Sequence, residues 1–264
     1  MMLEKTLNSI ERKIKLPLSI KKLGPPLNSL YYHRFYKEFI EYDKLLSKLR
    51  DKHKGERCFI IGTGPSLQKT NISLIKDEFL FGVNTLYKGL EKFGINCQYW
   101  VVGDRKVFIE HYKPLLGLDT TMFLAGHAGR EFLEKKEYYS KEAKIEPILV
   151  KTLGRMNVWS RFGEDLTIGT YSGGNVVITS IQVAFHLGFE EVYLLGCDST
   201  YKGSHHFDGK KHSFQKERKW SYIFAAYELC KKTYENAGRK IYNSTVGGQL
   251  EVFERKSLEE VMRG

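Results

Sequence analysis

Cys58-Phe59-Ile60-Ile61-Gly62-Thr63-Gly64-Pro65-Ser66-Leu67 decides how the rest of the chain is read. Its first four residues form an apolar run suited to a strand buried on both faces. The Gly-Thr-Gly-Pro-Ser turn then stops that strand and offers Ser66 to cap the next element. A strand passing straight into a glycine turn is how a β-α-β unit opens, and short side chains there let a ligand's phosphate approach backbone N–H groups. Two familiar fingerprints fail. Leu67 stands where a dinucleotide-binding turn has its third glycine, Asn84 replaces the acidic residue about twenty positions on, and no Gly-Lys-Ser/Thr completes a phosphate loop. The turn is thus a candidate nucleotide site with a purely structural turn as its alternative.

Working outward, apolar runs at 58–61, 79–83, 98–102, 121–124, 147–150, 192–196 and about 240–242 predict strands. Helices are predicted over about 85–93, 106–116, 128–142, 175–187 and 214–237, the last stopped by Ala237-Gly238. Alternation of this kind means an α/β fold with a mostly parallel sheet and helices on both faces. Ligands in such sheets gather at the carboxyl ends of the strands, which brings in Asn84 after the second strand and Gly103-Asp104 after the third. An Asn there is otherwise a turn residue, and an Asp beside Arg105 otherwise a helix cap. The loop-rich stretch 151–174, with Arg155, Trp159 and Arg161, is a candidate mobile cover.

The 264 residues carry 42 Lys and Arg against 31 Asp and Glu, a net charge of +11. Residues 1–54 hold 13 of the basic and 6 of the acidic residues, so the charge is concentrated in an N-terminal appendage. Leu3, Leu7, Ile10 and Ile14 make one amphipathic stripe. After the Gly24-Pro25-Pro26 break, with Asn28 or Ser29 as cap, Phe35, Phe39, Tyr42, Leu46 and Leu49 make another. These stripes either pack on the core or a sister subunit, or rest on an anionic membrane surface. Division into an appendage over 1–53 and a catalytic domain over 54–264 follows. No apolar run is long enough to span a bilayer and no signal-peptide core is present, which sets the expectation of a cytoplasmic protein, with the inner face of the plasma membrane as the peripheral alternative. Nucleic acid is not an expected partner, because no aromatic-basic recognition motif accompanies the charge. Cys58, Cys97, Cys197 and Cys230 lack metal spacing and are expected to be buried free thiols.

The densest polar cluster comes late. Tyr171-Ser172-Gly173-Gly174-Asn175 opens a helix, and the strand ending at Gly196-Cys197-Asp198 leads into Tyr201, His205, His206, Phe207, Asp208 and His212. Three histidines in eight residues form a candidate acid/base segment. Asp104, Asp198 and Asp208 are the carboxylates available to a Mg²⁺ ion.

Lys54 through Leu67, Phe81-Gly82-Val83-Asn84, Ser172-Gly173-Gly174-Asn175, Leu187 through Asp198 and Lys240 through Thr245 together resemble, in order, one bacterial and archaeal superfamily. It joins CMP-sialic-acid-dependent sialyltransferases, motility-associated flagellin glycosyltransferases and hydroxymethylpterin diphosphokinase-like (MptE-like) proteins. The resemblance covers about residues 54–250 and implies a Rossmann-like sheet whose nucleotide lodges between the glycine turn, Asn84 and the loop after the Ser-Gly motif. In the sialyltransferases Asn stands where this chain has Thr63 and Asp104, and a second tyrosine stands where it has Phe207; Tyr201 matches the first.

The resemblance implies a glycosyltransferase acting on a glycan or lipid-linked glycan, with a CMP-sugar as favoured donor and UDP- or GDP-sugars as alternatives. His212 or His206 would be the base, His212 lying nearer the next helix as its counterpart does. Gly62, Thr63, Gly64, Pro65, Ser66, Asn84, Asp104, Ser172, Gly173, Gly174, Asn175, Asp198 and Tyr201 would hold the donor, with backbone N–H groups near Gly62 and Gly64 meeting its phosphate. Asp198 would anchor its loop rather than react. Two alternatives remain open: a diphosphokinase using ATP with Mg²⁺ on Asp104 and Asp198, and a non-catalytic nucleotide- or glycan-binding scaffold. Mg²⁺ dependence and a homo-oligomeric state are left open.

Overall fold

A computed structural model describes residues 35–138, 143–156, 161–199, 206–209 and 220–263. The first expected amphipathic helix, the proline break and its candidate caps lie outside them, as do Tyr201, His205 and His212. Eight parallel strands make the main sheet: β1 Arg57–Ile61, β2 Phe79–Val83, β3 Tyr99–Val102, β4 Thr121–Ala125, β5 Ile148–Val150, β8 Glu191–Leu195, β9 Lys240–Asn243 and β10 Glu254–Arg255. The small pair β6 Thr152–Arg155 and β7 Thr170–Ser172 stands apart from it. The order β10-β9-β8-β1-β2-β3-β4-β5 puts β1 at the centre, where the chain's direction of progress across the sheet reverses. Four of the five residues of β1, β2, β4 and β8 are buried, as continuous apolar strands between two helical layers must be.

Right-handed crossovers from β1 to β5 place α3 (Arg105–Leu116) and α4 (Gly126–Glu134) on one face; the return through β8 to β9 places α6 (Trp220–Asn236) on the other. There α6 packs against α5 (Val176–Leu187), which lies across β1, β2 and β3. Between β2 and β3 the expected helix is a 3-10 stretch, Asn84–Gly89, followed by the short α2, Leu90–Phe93. The helix expected over 128–142 ends at Glu134, and a short α7, Leu258–Arg263, follows β10. All four cysteines are buried and free.

The stripe of the second amphipathic helix, α1 (Tyr36–Leu49), packs on the core. Phe39, Tyr42 and Leu46 are buried, each contributing roughly 2 kcal/mol of transfer free energy. Polar contacts fix its seat: Lys151 Nζ lies 2.7 Å from Asp43 Oδ2, and Arg50 pairs with Asp165. His186, 2% exposed, accepts from the Leu166 N–H at Nδ1 and so donates from Nε2 to the Leu46 carbonyl, 2.8 Å away. Burial holds its pKa below the ordinary 6.5, with Arg50 acting in the same direction and Asp165 and Asp51 opposing. The unfolded chain therefore takes up this proton first, and the contribution of neutral His186 is present above about pH 6.5 and lost as the pH falls through the lower folded value. Thermal midpoints between pH 8 and pH 5 are expected to fall more steeply for the parent than for His186→Gln, which keeps a donor and an acceptor without a titrating ring. Identical slopes would remove His186 from the acid response.

The stretch expected to be a mobile cover is, where described, pinned down. Gln182 of α5 is fully buried; its Oε1 accepts from Gly163 and Tyr171 N–H, and its Nε2 donates to the Tyr171 and Ile178 carbonyls. Phe162 and Leu166 fill the space beneath. The Gly and Thr content that reads as loop is a consequence of two short, half-exposed strands.

Candidate functional site

The strand order reverses at β1 and β8, the place where open α/β sheets hold their ligands at the carboxyl edge. The two ends are clasped together. Gly62 N–H donates to the Leu195 carbonyl at 2.7 Å and Gly64 N–H to the Gly196 carbonyl at 2.9 Å. Asp198 accepts from Ser66 N–H at 3.2 Å and from Ser66 Oγ at 2.7 Å. Burial raises the Asp198 carboxyl above its ordinary pKa, against the lowering effect of those Ser66 bonds. This corrects the reading of the glycine turn as a phosphate cradle. A Cβ on Gly62 would fall on the Gly196 carbonyl, and one on Gly64 on the Asp198 carboxylate. The glycines make room for the neighbouring strand's loop, and their N–H groups are already spent. Pro65 begins a five-residue 3-10 turn, not an α-helix with a developed dipole.

Above this clasp sits His206. Its Nδ1 is 2.9 Å from Thr63 Oγ1, and the Phe207 N–H donates to the Thr63 carbonyl at 2.9 Å. Gln68 donates to the Phe207 carbonyl, and the Phe207 ring is buried against Phe93 over Gly89. The ring standing where a tyrosine was expected is thus an apolar plug that seats the histidine. Asp208 faces Lys88 at 4.0 Å.

On the next strand, Ile61 pairs with Gly82, so β1 and β2 end level with each other, Thr63 following the one and Asn84 the other. Asn84 adopts φ 45°, in the left-handed region, and its carbonyl accepts from Trp100 Nε1. Its Oδ1 is buried without a hydrogen-bond partner among the described residues. A buried acceptor in that state costs about 1–3 kcal/mol until a donor arrives.

Other candidates have structural occupations. Asp104 is exposed and caps α3, its Oδ1 accepting from Lys106 and Val107 N–H. Asn175 caps α5 through Val177 N–H and donates from Nδ2 to Tyr227 Oη at 3.1 Å, so both ends of its amide are engaged away from a ribose or base. Gly173 allows Ile178 to approach within 2.6 Å of where a Cβ would be. The Ser172 carbonyl accepts from Tyr222 Oη, and Gly174 N–H donates to Ser172 Oγ. The 172–175 loop still belongs to this edge, because a Cβ added to Gly103 at the end of β3 would lie 3.9 Å from the Val176 side chain. Sequence reasoning missed His127, which follows the end of β4 by two residues; the strand-end rule that found Asn84 applies to it equally. Among the described residues no three His, Cys, Asp or Glu side chains gather as a metal site.

The family profile described as 6-hydroxymethylpterin diphosphokinase MptE-like matches residues 33–204. Among solved structures, the sialyltransferase CstII from Campylobacter jejuni, in complex with the substrate analogue cytidine-5'-monophosphate, aligns at 18% identity with a TM-score of 0.48, over 76% of this chain and 85% of that one. The MAf glycosyltransferase from Magnetospirillum magneticum aligns at 15% identity with a TM-score of 0.48 over 83% of this chain, which spans 38% of that protein. No curated protein matches the sequence. The profile takes in α1, every strand from β1 to β8 and the loop beyond, the larger part of the chain, which therefore belongs to the 6-hydroxymethylpterin diphosphokinase MptE-like family.

Proposed function

We propose that this protein is a glycosyltransferase that moves a sugar from a nucleotide-activated donor to a glycan or lipid-linked glycan acceptor. The observation that carries this reading is the orphaned buried acceptor of Asn84 at the end of β2, on the strand next to β1, beyond whose end Thr63 holds His206. An orphaned carboxamide oxygen calls for a ligand group that donates. A ribose hydroxyl or a base amine does so, whereas an ionised phosphate oxygen does not.

With its Nδ1–H donating to Thr63 Oγ1, His206 presents Nε2 as a base. It takes the proton of the acceptor hydroxyl as that oxygen forms its bond to the anomeric carbon and the bond to the nucleotide phosphate breaks. The Thr63 hydroxyl, its oxygen engaged by His206, keeps its own proton to donate to the departing phosphate. Gly62 and Gly64 N–H groups take no part, since they donate to the carbonyls of Leu195, the last residue of β8, and of Gly196 just beyond it.

Membership of a family described by diphosphokinase activity favours a second reading, diphosphoryl transfer from ATP. The carboxylates it would use for Mg²⁺ are poorly placed to bind it, since Asp104 is committed to two α3 amides and Asp198 to Ser66. The readings separate in a thermal-shift screen of CMP, CDP, UDP, GDP and ATP with and without Mg²⁺. Glycosyl transfer predicts stabilisation by a nucleoside mono- or diphosphate without metal. Asn84→Gly, which suits the left-handed backbone but removes the acceptor, should weaken that binding about tenfold or more. Stabilisation by ATP and Mg²⁺ alone would reverse the choice, and parental affinity in Asn84→Gly would move the nucleotide away from β2.

A further inference from the structure

His206 opens a four-residue turn that closes when the Gly209 N–H donates to the His206 carbonyl at 3.0 Å. A side chain on a turn is placed no better than the backbone beneath it, and here that backbone is held from the exits of two strands. From β1, the Thr63 carbonyl accepts the Phe207 N–H while Thr63 Oγ1 meets His206 Nδ1, each at 2.9 Å. Five residues on, in the 3-10 turn Pro65–Lys69, Gln68 Nε2 donates to the Phe207 carbonyl. A carbonyl can only accept, so this contact also fixes which way the Gln68 amide faces. Both polar groups of the Phe207 backbone are thus taken by residues that follow β1.

The exit of β2 supplies the third point. The Phe207 ring is 5% exposed and its centroid lies 5.5 Å from that of Phe93. A Cβ on Gly89 would lie 2.5 Å from Phe93 Cε2 and 2.9 Å from Phe207 Cε2, whereas Gly89 itself has φ −107°, open to residues with a side chain. Glycine is there for room, and the two rings fill it. Two hydrogen bonds and a buried ring leave the chain at 207 little freedom to carry the imidazole away from Thr63. A reacting group misplaced by about 1 Å loses on the order of 10²-fold in rate. We propose that Gln68 and Phe207 are positioning residues, which keep His206 Nδ1 against Thr63 Oγ1 and so aim Nε2 in one direction. The use of that aim rests on the reading of His206 as the base; the seat itself does not.

The first test needs no substrate, because histidine ring ¹⁵N NMR on the full chain reads the tautomer of His206 and the exchange of its Nδ1 proton. In the parent a single neutral tautomer, protonated at Nδ1, is expected. Gln68→Ala should mix in the other tautomer and speed exchange at Nδ1 about tenfold or more, with a thermal midpoint lowered by no more than about 4 °C. Gln68→Lys, which returns a donor of similar reach, should recover most of the parental signature. Gly89→Ala leaves every hydrogen-bonding group in place and acts through the ring alone, and the same change is expected from it; Phe207→Leu, which shrinks the ring's filling of the socket, takes its part if that chain does not fold. A parent with mixed tautomers, a parental signature in Gln68→Ala or in the ring variant, or no recovery in Gln68→Lys overturns the proposal. In turnover Gln68→Ala should lower kcat about 10–100-fold with donor KM little changed. An altered His206 signature with parental kcat would sink the base and leave the seat standing.

Discussion

Replacing Gly64 by valine is expected to lower stability by about 4 kcal/mol or more, not merely to blunt a ligand site. A Cβ at this position falls on Asp198 Oδ2 and lies 2.6 Å from the Gly196 carbonyl. Neither obstacle is the loose end of a flexible chain. Asp198 is 9% exposed and held by both the N–H and the hydroxyl of Ser66, and the Gly196 carbonyl is the acceptor for Gly64 itself. Pushing the carboxylate aside leaves a buried charge without its donors, which costs more than the bonds it had made. Urea unfolding, read at constant slope, measures the loss. Gly154→Ala serves as control, because nothing lies within 4 Å of its Cβ and the expected change is within about 0.5 kcal/mol. A Gly64→Val protein that unfolds at the parental midpoint would mean that the two loops are not clasped.

Turnover should respond most to His206. With the true acceptor, His206→Ala is expected to lower kcat by about 10²–10⁴-fold, to leave donor KM little changed, and to erase the acidic limb of the pH–rate profile. Thr63→Val keeps the shape of the side chain and removes the hydroxyl bonded to Nδ1, so it should cost less and shift that limb without abolishing it. If His206→Ala retains more than a tenth of the parental kcat, the proton goes elsewhere, and His212→Ala becomes the next variant to measure.

The main strands were legible to within about a residue because most are built on an apolar run, and such runs have few places to go other than the middle of a parallel sheet. The strands that escaped notice lack this signal. Thr152–Arg155 and Thr170–Ser172 are short and half exposed, and Glu254–Arg255 is a charged pair at the sheet edge. At the site, position along the chain was readable and use was not. Asn84, Thr63 and His206 were identified from strand ends and loop composition; Thr63 and His206 are hydrogen-bonded beyond β1, and Asn84 follows the neighbouring β2. Gly62 and Gly64 look the same in a sequence whether they admit a phosphate or another loop of the same chain, and the residue that fills the space lies more than a hundred positions away. Asp104 and Asn175 sit where caps belong, and the hydrogen bonds show that they are caps.

The central place of β1 also sets an order of events. Its partner on one side, β2, follows within about twenty residues, whereas its partner on the other, β8, emerges about 130 residues later. At a synthesis rate of 5–20 residues per second, the apolar edge of Cys58–Ile61 waits roughly 7–26 seconds for cover. During that interval the nascent chain exposes an unpaired, uncharged strand edge, the kind of surface that recruits foreign strands or chaperones. Thr63 and Asn84 are in place early, but Asp198 and His206 reach them only once β8 has docked. The crevice is thus completed late in biogenesis, and a ribosome stalled before residue 190 would release a chain with most of a sheet and no site.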